Sequence, residues 1–438
     1  MRALSGEADD VELVLWSADE RSWAVRNREI VPEVSFGQVA VGLRALRGGR
    51  LAMAATATLD PEENARALRA ALRVARPSRL SEFAAARPPP LVDVDPELEA
   101  LAHDPKALHS LAVALRDGFF SLPRAASIEA FEGAVGAHRT ARAVVTRRGE
   151  STVARAALAA WADVEGAHSE IVHAPRATPE ALAEIRGVGR AALLGLPDRI
   201  VTPEELGTGE LPVLLHPRLA EAILRTALQE KLLAESAAKG LSDLRPGDLV
   251  ADESFSLWDS SEEPGLSSHA PTDDEGTPGA SRAVIERGRF TGFLGSRASC
   301  EELGIAPTGN GFRTPMIAEP PNEAPVRDRL SGLIVEGGEK SFSELVQGME
   351  RGLVLVGLLG LHGADRARAS FSCTVYDGLA VRDGKLLGRL APGRWNASGR
   401  LLADGDRPGL LSRIERSREQ LSTGRSRLPH LLVRLETR

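Results

Sequence analysis

Between residues 126 and 173 four strand-like runs follow one another, at 126–135, 139–148, 151–163 and 167–173, with only short turns such as Arg148-Gly149-Glu150 between them. Connections this short cannot hold the crossover that parallel neighbours require, so the runs are expected to pair antiparallel as a meander. The helices on either side must then pack on the faces of that sheet. One is expected at about 105–117. Another starts at Thr178-Pro179-Glu180-Ala181, with Thr as N-cap and Pro in the first turn, and runs to about Leu194.

The rest of the chain is punctuated in the same way. Residues 11–16 and 36–46 are short apolar or alternating runs. Gly48-Gly49 turns the chain, and Arg50 to Thr58 continues as a strand. Asp60-Pro61-Glu62-Glu63 opens a helix to about residue 75, with apolar positions at Ala65, Leu68, Ala71, Leu72 and Val74. Residues 76–95, with Pro88-Pro89-Pro90, are expected to be an extended linker. Pro212 to Leu215 forms a short strand, and a long helix is expected from His216-Pro217 to about Lys239, stopped by Gly240. Beyond it come short strands in a Gly-, Pro-, Ser- and Asp-rich background. Among them is a hairpin about Arg287-Gly288, and a helix at 341–351 is announced by Ser341 and Glu344 as a capping box.

The expected fold class is α+β: an N-terminal α/β-type domain with antiparallel strands and helices, then a C-terminal β-rich domain with a long helix at its start. The segments are drawn at 1–85, 90–208 and 211–438.

Composition narrows the function. Lys and Arg number 54 against 61 Asp and Glu, a net charge of −7, which disfavours a direct nucleic-acid binder. Cys300 and Cys373 are too few for a disulfide framework or a Cys-rich zinc site. The longest apolar run, Leu353 to Leu361, is nine residues with two glycines, whereas a membrane span needs about 20. Met1-Arg2-Ala3-Leu4 leads into Glu7, Asp9 and Asp10 without an apolar signal core, so a cytoplasmic location is expected.

The place to look for chemistry is the start of the long helix. A zinc-peptidase helix needs a first His, a neighbouring Glu as general base and a second His further along. Here His216 is followed by Pro217, which cannot move a proton, and Glu221 stands five residues on. Two readings stay open: His216 and Glu221 as a residual ligand pair, or His216 as a helix cap before a Pro in the first turn. Elsewhere, Asp273-Asp274-Glu275 reads as a cation ligand or a solvated turn, and Thr308-Gly309-Asn310 as turn chemistry or a peptide contact. Ser370, Ser372 and Cys373 lie on an apparent strand with no His or Asp beside them by local spacing. Cys373 and Cys300 read as small buried hydrophobes.

Several segments, in order, resemble the modulator of DNA gyrase family, the TldD and TldE (PmbA) proteins. They are Asp273-Asp274-Glu275-Gly276-Thr277, Val284-Ile285-Glu286-Arg287-Gly288 with Phe290 to Leu294, and Pro307-Thr308-Gly309-Asn310. Further on come Gly337-Gly338 through Ser343-Glu344-Leu345-Val346 to Gly352-Leu353-Val354, then Ala369-Ser370-Phe371-Ser372 with Gly378, Val381 and Asp383-Gly384, and the ending Pro429-His430-Leu431-Leu432-Val433. The likeness reaches residues 9–75 more weakly. It departs from the family pattern at the chain start and around 362–368.

The resemblance implies a choice. TldD-like members carry an H-E-x-x-x-H zinc helix and a Cys ligand near the C-terminus; TldE-like members lack them and pair with TldD. This chain has His216-Pro217 where H-E would start, Glu221 where the second His would fall, and no Cys between Leu421 and Pro429. It is therefore similar to the TldE kind. The resemblance implies a heterodimer with a TldD-like zinc peptidase subunit, or a homodimer, acting on an unfolded peptide, with zinc in the partner and no cofactor or catalytic residue here. A β-rich section with a free strand edge would suit such a peptide, because edge pairing reads backbone and not sequence. Asp274, Glu275, Gly276, Thr308, Gly309 and Asn310 are expected along the peptide cleft. The alternatives are a degenerate metallopeptidase active by itself through His216 and Glu221, and a stand-alone peptide-binding protein.

Overall fold

The structure, a computed structural model, describes residues 6–85, 87–313, 324–403 and 407–438; the Met1–Leu4 opening read above lies outside them. The chain builds two large sheets. The first has eight strands. At its centre Asp10–Arg26 pairs antiparallel with Glu29–Arg47 on one side and with Phe131–Thr146 on the other. Arg50–Thr56 extends one flank, and Glu150–Val164 and His168–Ala174 extend the other. The expected segments 1–85 and 90–208 thus share one sheet, joined through Asp10–Arg26.

The meander is present with one strand fewer. The runs at 126–135 and 139–148 are a single strand, Phe131–Thr146, paired without interruption to both neighbours. The residues between them, Gly136, Ala137 and His138, interrupt the apolar pattern as a turn would. None takes a positive φ, however, and their backbone groups stay in the ladder. The turn at Gly48-Gly49, by contrast, has both central residues left-handed (φ 53 and 69).

Helices Pro105–Phe120 and Pro179–Gly195 bury Leu108, Leu111, Leu115, Ile185 and Val188 against Phe131, Val135 and Leu158 of the sheet. Helix Pro61–Leu72, capped by the Asp60 carboxylate, closes the same sheet at its other end over Val11, Val41 and Leu43. Alternation then decides what faces the remainder of the chain. Val11 and Leu43 point into this core, so their neighbours Glu12 and Arg44, paired in register, point to the opposite face.

The second sheet has twelve strands and occupies the C-terminal half. The pairings Arg427–Thr437, Gly209–Leu215, Arg351–Leu359, Ser370–Arg382, Trp395–Arg400 and back to Arg427–Thr437 close a ring. Leu219, Ile223, Leu224 and Leu228 of the helix that follows Gly209–Leu215 join its core. That helix corrects the expectation of one long element. It runs as Pro217–Ile223, loosens into a π-helical turn at Leu224–Leu228, continues through Gln229–Leu232 and breaks at Leu233, before a last turn at Ala234–Ala238. Leu233 is extended (φ −99, ψ 141) because its backbone pairs with Leu294: Ala234 N–H donates to the Leu294 carbonyl, and Leu294 N–H to that of Leu232. The capping box at Ser341 and Glu344 and the turn at Arg287-Gly288 form as expected. No helix of the described residues is long and apolar enough to cross a membrane.

The two sheets meet along a polar seam. Glu12 and Arg44, 0% and 3% exposed, are capped by Glu275 and Arg313 from the C-terminal half. Arg44 Nε donates to Glu12 at 2.7 Å and Nη1 to Glu275 at 3.0 Å, and Arg313 Nη2 donates to Glu12 at 2.9 Å. The Arg44 guanidinium therefore stays charged despite burial, its pKa pushed up by the two carboxylates.

Candidate functional site

The strand Gly209–Leu215 ends by handing the chain to helix Pro217–Ile223, and His216 sits at the junction. Its N–H donates to the Leu355 carbonyl at 2.8 Å. Its ring Nδ1 accepts from the Arg218 N–H at 3.3 Å, so the imidazole caps the helix. The ring packs edge-on to His430, 5.3 Å between centroids. Burial, then the nearby Arg218 cation, push its pKa down to about 3, so it is neutral over the working range of a protein.

Glu221 is turned to another partner. Its carboxylate accepts from Arg225 Nε at 2.7 Å, one turn along, and from the hydroxyls of Ser426 and Thr423. Burial opposes ionisation, but Arg225 and these donors outweigh it and hold the carboxyl below its ordinary range. Arg225 is itself fixed by the Leu330 and Ser331 carbonyls at 3.1 and 2.8 Å. Both Glu221 oxygens are thus committed, and a guanidinium already supplies the positive charge beside them. These donors do not fit a zinc centre, which needs three protein ligands with free lone pairs converging on one point. The stretch where the family's C-terminal Cys would be expected instead supplies two hydroxyl donors to Glu221.

A cleft of about 310 Å³ opens beside this network, between the two sheets. Its first-sheet wall carries Val14, Trp16, Arg142 and Arg155; its C-terminal wall carries Asp274, Phe312, Arg329 and Arg425. Of the six residues expected along a cleft, Asp274 lines it. Asp274 pairs with Arg142 and accepts the Arg313 N–H at 2.7 Å.

The other five build the wall behind. Glu275 is buried in the seam on Arg44, and also accepts the Arg297 N–H at 2.8 Å. Gly276 lies against Val144 and Ala84. Thr308 Oγ1 accepts the Gly295 N–H at 2.8 Å. Gly309 (φ +78) passes so close to Pro278 that a Cβ would stand 2.3 Å from its carbonyl oxygen. Asn310 Nδ2 donates to Asp259 at 2.7 Å and to the Arg329 carbonyl at 3.1 Å. Asp273, whose carboxylate accepts the Glu275, Thr277 and Gly311 N–H groups, folds the loop on itself; burial and the nearby Glu275 charge raise its pKa. The acidic run is therefore a buried loop anchor, not a solvated turn.

Nothing in the sequence marks the cleft arginines as a group. They come from two strands and two loops, and no spacing connects them. Cys300 and Cys373 are buried and their thiol pKa values are raised by that burial, Cys300 to about 12.

Residues 208–435 match the model of the PmbA/TldA metallopeptidase C-terminal domain. A metalloprotease of Methanothermobacter thermautotrophicus is 26% identical over 181 residues, 41% of this chain and 38% of that protein. A TldD-homologue metalloprotease of Buchnera aphidicola is 24% identical over 200 residues, 45% of this chain and 39% of that protein. The match spans about two-fifths of the length of these relatives. The crystal structure of TldE from Thermococcus kodakarensis superposes with a TM-score of 0.81 at 19% identity, covering 99% of this chain and 98% of that one. That of a gyrase-modulator protein from Thermotoga maritima gives 0.82 at 22% identity, covering 100% and 98%. The fold is shared along the whole chain.

Proposed function

The chain belongs to the PmbA/TldD metallopeptidase family, and from that premise we propose that it is a TldE-like, zinc-less subunit of a TldD/TldE-type peptidase complex acting on unfolded peptides in the cytoplasm. In this reading a TldD-like partner holds the zinc and activates the water. This chain supplies one wall of the enclosure and contacts the peptide along the cleft beside Asp274. The observation that carries the reading is the fate of Glu221. The position where a second zinc-binding His would fall is spent on Arg225, Thr423 and Ser426, and Pro217 stands in place of the general base. His216 spends its Nδ1 lone pair on the helix cap. No residue of this network is free to hold and deprotonate a water.

Co-expression with a TldD-like chain carrying H-E-x-x-x-H tests it. The expected result is co-purification, cleavage of an unfolded peptide by the pair, and neither stoichiometric zinc nor cleavage with this chain alone. Stoichiometric zinc in the lone chain, with chelator-sensitive cleavage lost in His216→Ala, would overturn the reading in favour of a self-sufficient enzyme.

A further inference from the structure

The cleft between the sheets holds more positive charge than its own acids neutralise. Arg142 is paired with Asp274, and Arg313 with Glu12. Arg155, Arg329 and Arg425 also line the cleft, and among the described residues none of the three forms an ion pair. Arg155 spends Nη1 on the Ser267 carbonyl, while its Nε and Nη2 are buried with no acceptor. Buried donors without acceptors cost on the order of 1–3 kcal/mol each, more when charged, and native structures rarely leave them so.

Arg425 is held in place from behind. Its Nε and Nη2 donate to the Ser331 and Leu330 carbonyls at 2.8 and 3.0 Å, the same two carbonyls that hold Arg225. Two guanidinium groups thus share one pair of acceptors. The nearby acids do not balance them: Glu221 is taken by Arg225, and Asp259 is fully buried, its pKa raised to about 6. Burial and neighbouring arginines lower the pKa of Arg425 to about 9 and that of Arg155 to about 10. A ligand anion would reverse that.

The geometry points to a carboxylate-binding subsite for peptide in this cleft, with Arg155, Arg329 and Arg425 as its cationic groups. The inference rests on the peptide-handling reading above and adds a preference that reading does not contain. A planar carboxylate matches the guanidinium fork and can take two parallel N–H donors. The walls at Val14, Trp16 and Phe312 give the rest of a residue an apolar surface. The volume is at the small end of ligand pockets, about 300–1,000 Å³, which suits one or two residues of a chain rather than a folded partner. The carboxylate has two possible sources, an Asp or Glu side chain or the peptide's C-terminus.

Calorimetric titration of the full chain with four versions of one unfolded peptide separates them: Glu-containing or with Glu replaced by Gln, each with a free or an amidated C-terminus. The expected result is at least about tenfold tighter binding of whichever carboxylate the cleft takes, weakening as salt rises from about 50 to 300 mM. Arg329→Gln and Arg155→Gln should shrink that preference, with folding checked by thermal melting. If either variant fails to fold, the Glu/Gln and acid/amide comparisons on the unaltered chain still decide. Equal affinity for all four peptides sinks the carboxylate subsite and leaves the peptide-binding subunit standing. Binding of inorganic phosphate with no peptide bound gives the cleft to a phosphate ligand and overturns the proposal. No binding of any peptide, alone or with the TldD-like partner, takes both readings down.

Discussion

The Thr423 hydroxyl donates to the Glu221 carboxylate across 202 residues of sequence, tying the loop before the last strand to the helix after His216. Ser426 and Arg225 complete the set. Arg225 and Glu221 are 14% and 12% exposed, so the pair lies between the surface and interior regimes. Removing the carboxylate strands a mostly buried guanidinium and two hydroxyl donors. Glu221→Ala is expected to lose about 2–3 kcal/mol of stability, read as a lower urea midpoint. Glu221→Gln should lose less, because an amide oxygen still accepts. An unchanged midpoint in Glu221→Ala would mean the network carries no weight.

The seam around Arg44 makes a sharper case. One guanidinium satisfies both Glu12 and Glu275 with no solvent near any of the three. Arg44→Ala leaves Glu275 buried without its cation, and Glu12 with Arg313 as its remaining cation. The expected cost is about 3–5 kcal/mol. Because Glu12 and Glu275 come from different halves, the loss should appear first as separation of the halves. Limited proteolysis should therefore cut between them in Arg44→Ala before either sheet unfolds. Simultaneous loss of protection throughout both sheets would contradict this.

Gly309 is a backbone prediction. Its φ of +78 is disfavoured for an L-residue, and a Cβ there would stand 2.3 Å from the Pro278 carbonyl oxygen. Gly309→Ala should cost at least about 2 kcal/mol from the two effects together, read by thermal unfolding. Gly187 serves as the control. It lies within helix Pro179–Gly195 with nothing near its missing Cβ. Gly187→Ala should be neutral or stabilising by up to about 1 kcal/mol.

What the residues disclosed in advance follows from range. Helix caps at Asp60, Thr178 and Ser341 and the turns at Gly48-Gly49 and Arg287-Gly288 are set by neighbours in sequence, and all formed. The break at Leu233 is imposed by Leu294, sixty-one positions on, and could not be read locally. The joining of Phe131–Thr146 into one strand needs the partner Asp10–Arg26 to hold its polar middle. The candidate site divides the same way. The spacing from His216 points to Glu221, whereas Arg155, Arg329 and Arg425 share one cleft only because two sheets pack face to face. In sequence Asp273-Asp274-Glu275 admits a cation ligand or a solvated turn, because acids in a Gly-rich loop carry no sign of their partners. Their N–H and guanidinium partners are supplied by the fold.

A second link between the halves should be pH-sensitive. His168, on the last strand of the first sheet, places Nδ1 3.1 Å from Asp377 on strand Ser370–Arg382, and Nε2 3.3 Å from Glu170. Burial pulls the imidazole pKa down, but the two carboxylates outweigh it and raise it to about 9. The folded value lies above the unfolded one, near 6.5, so the folded state holds the extra proton between them. The stabilisation is therefore complete below about pH 6.5 and is lost as pH rises through about 9, a total of up to about 3 kcal/mol. Replacing His168 by Gln removes the titration while keeping a hydrogen-bonding side chain. The stability difference between the parent chain and His168→Gln should be largest at pH 6 and nearly gone at pH 10, measured by urea unfolding in matched salt. A difference that stays constant over that window would show the imidazole to be neutral in the folded protein, and the contact with Asp377 to be an ordinary hydrogen bond.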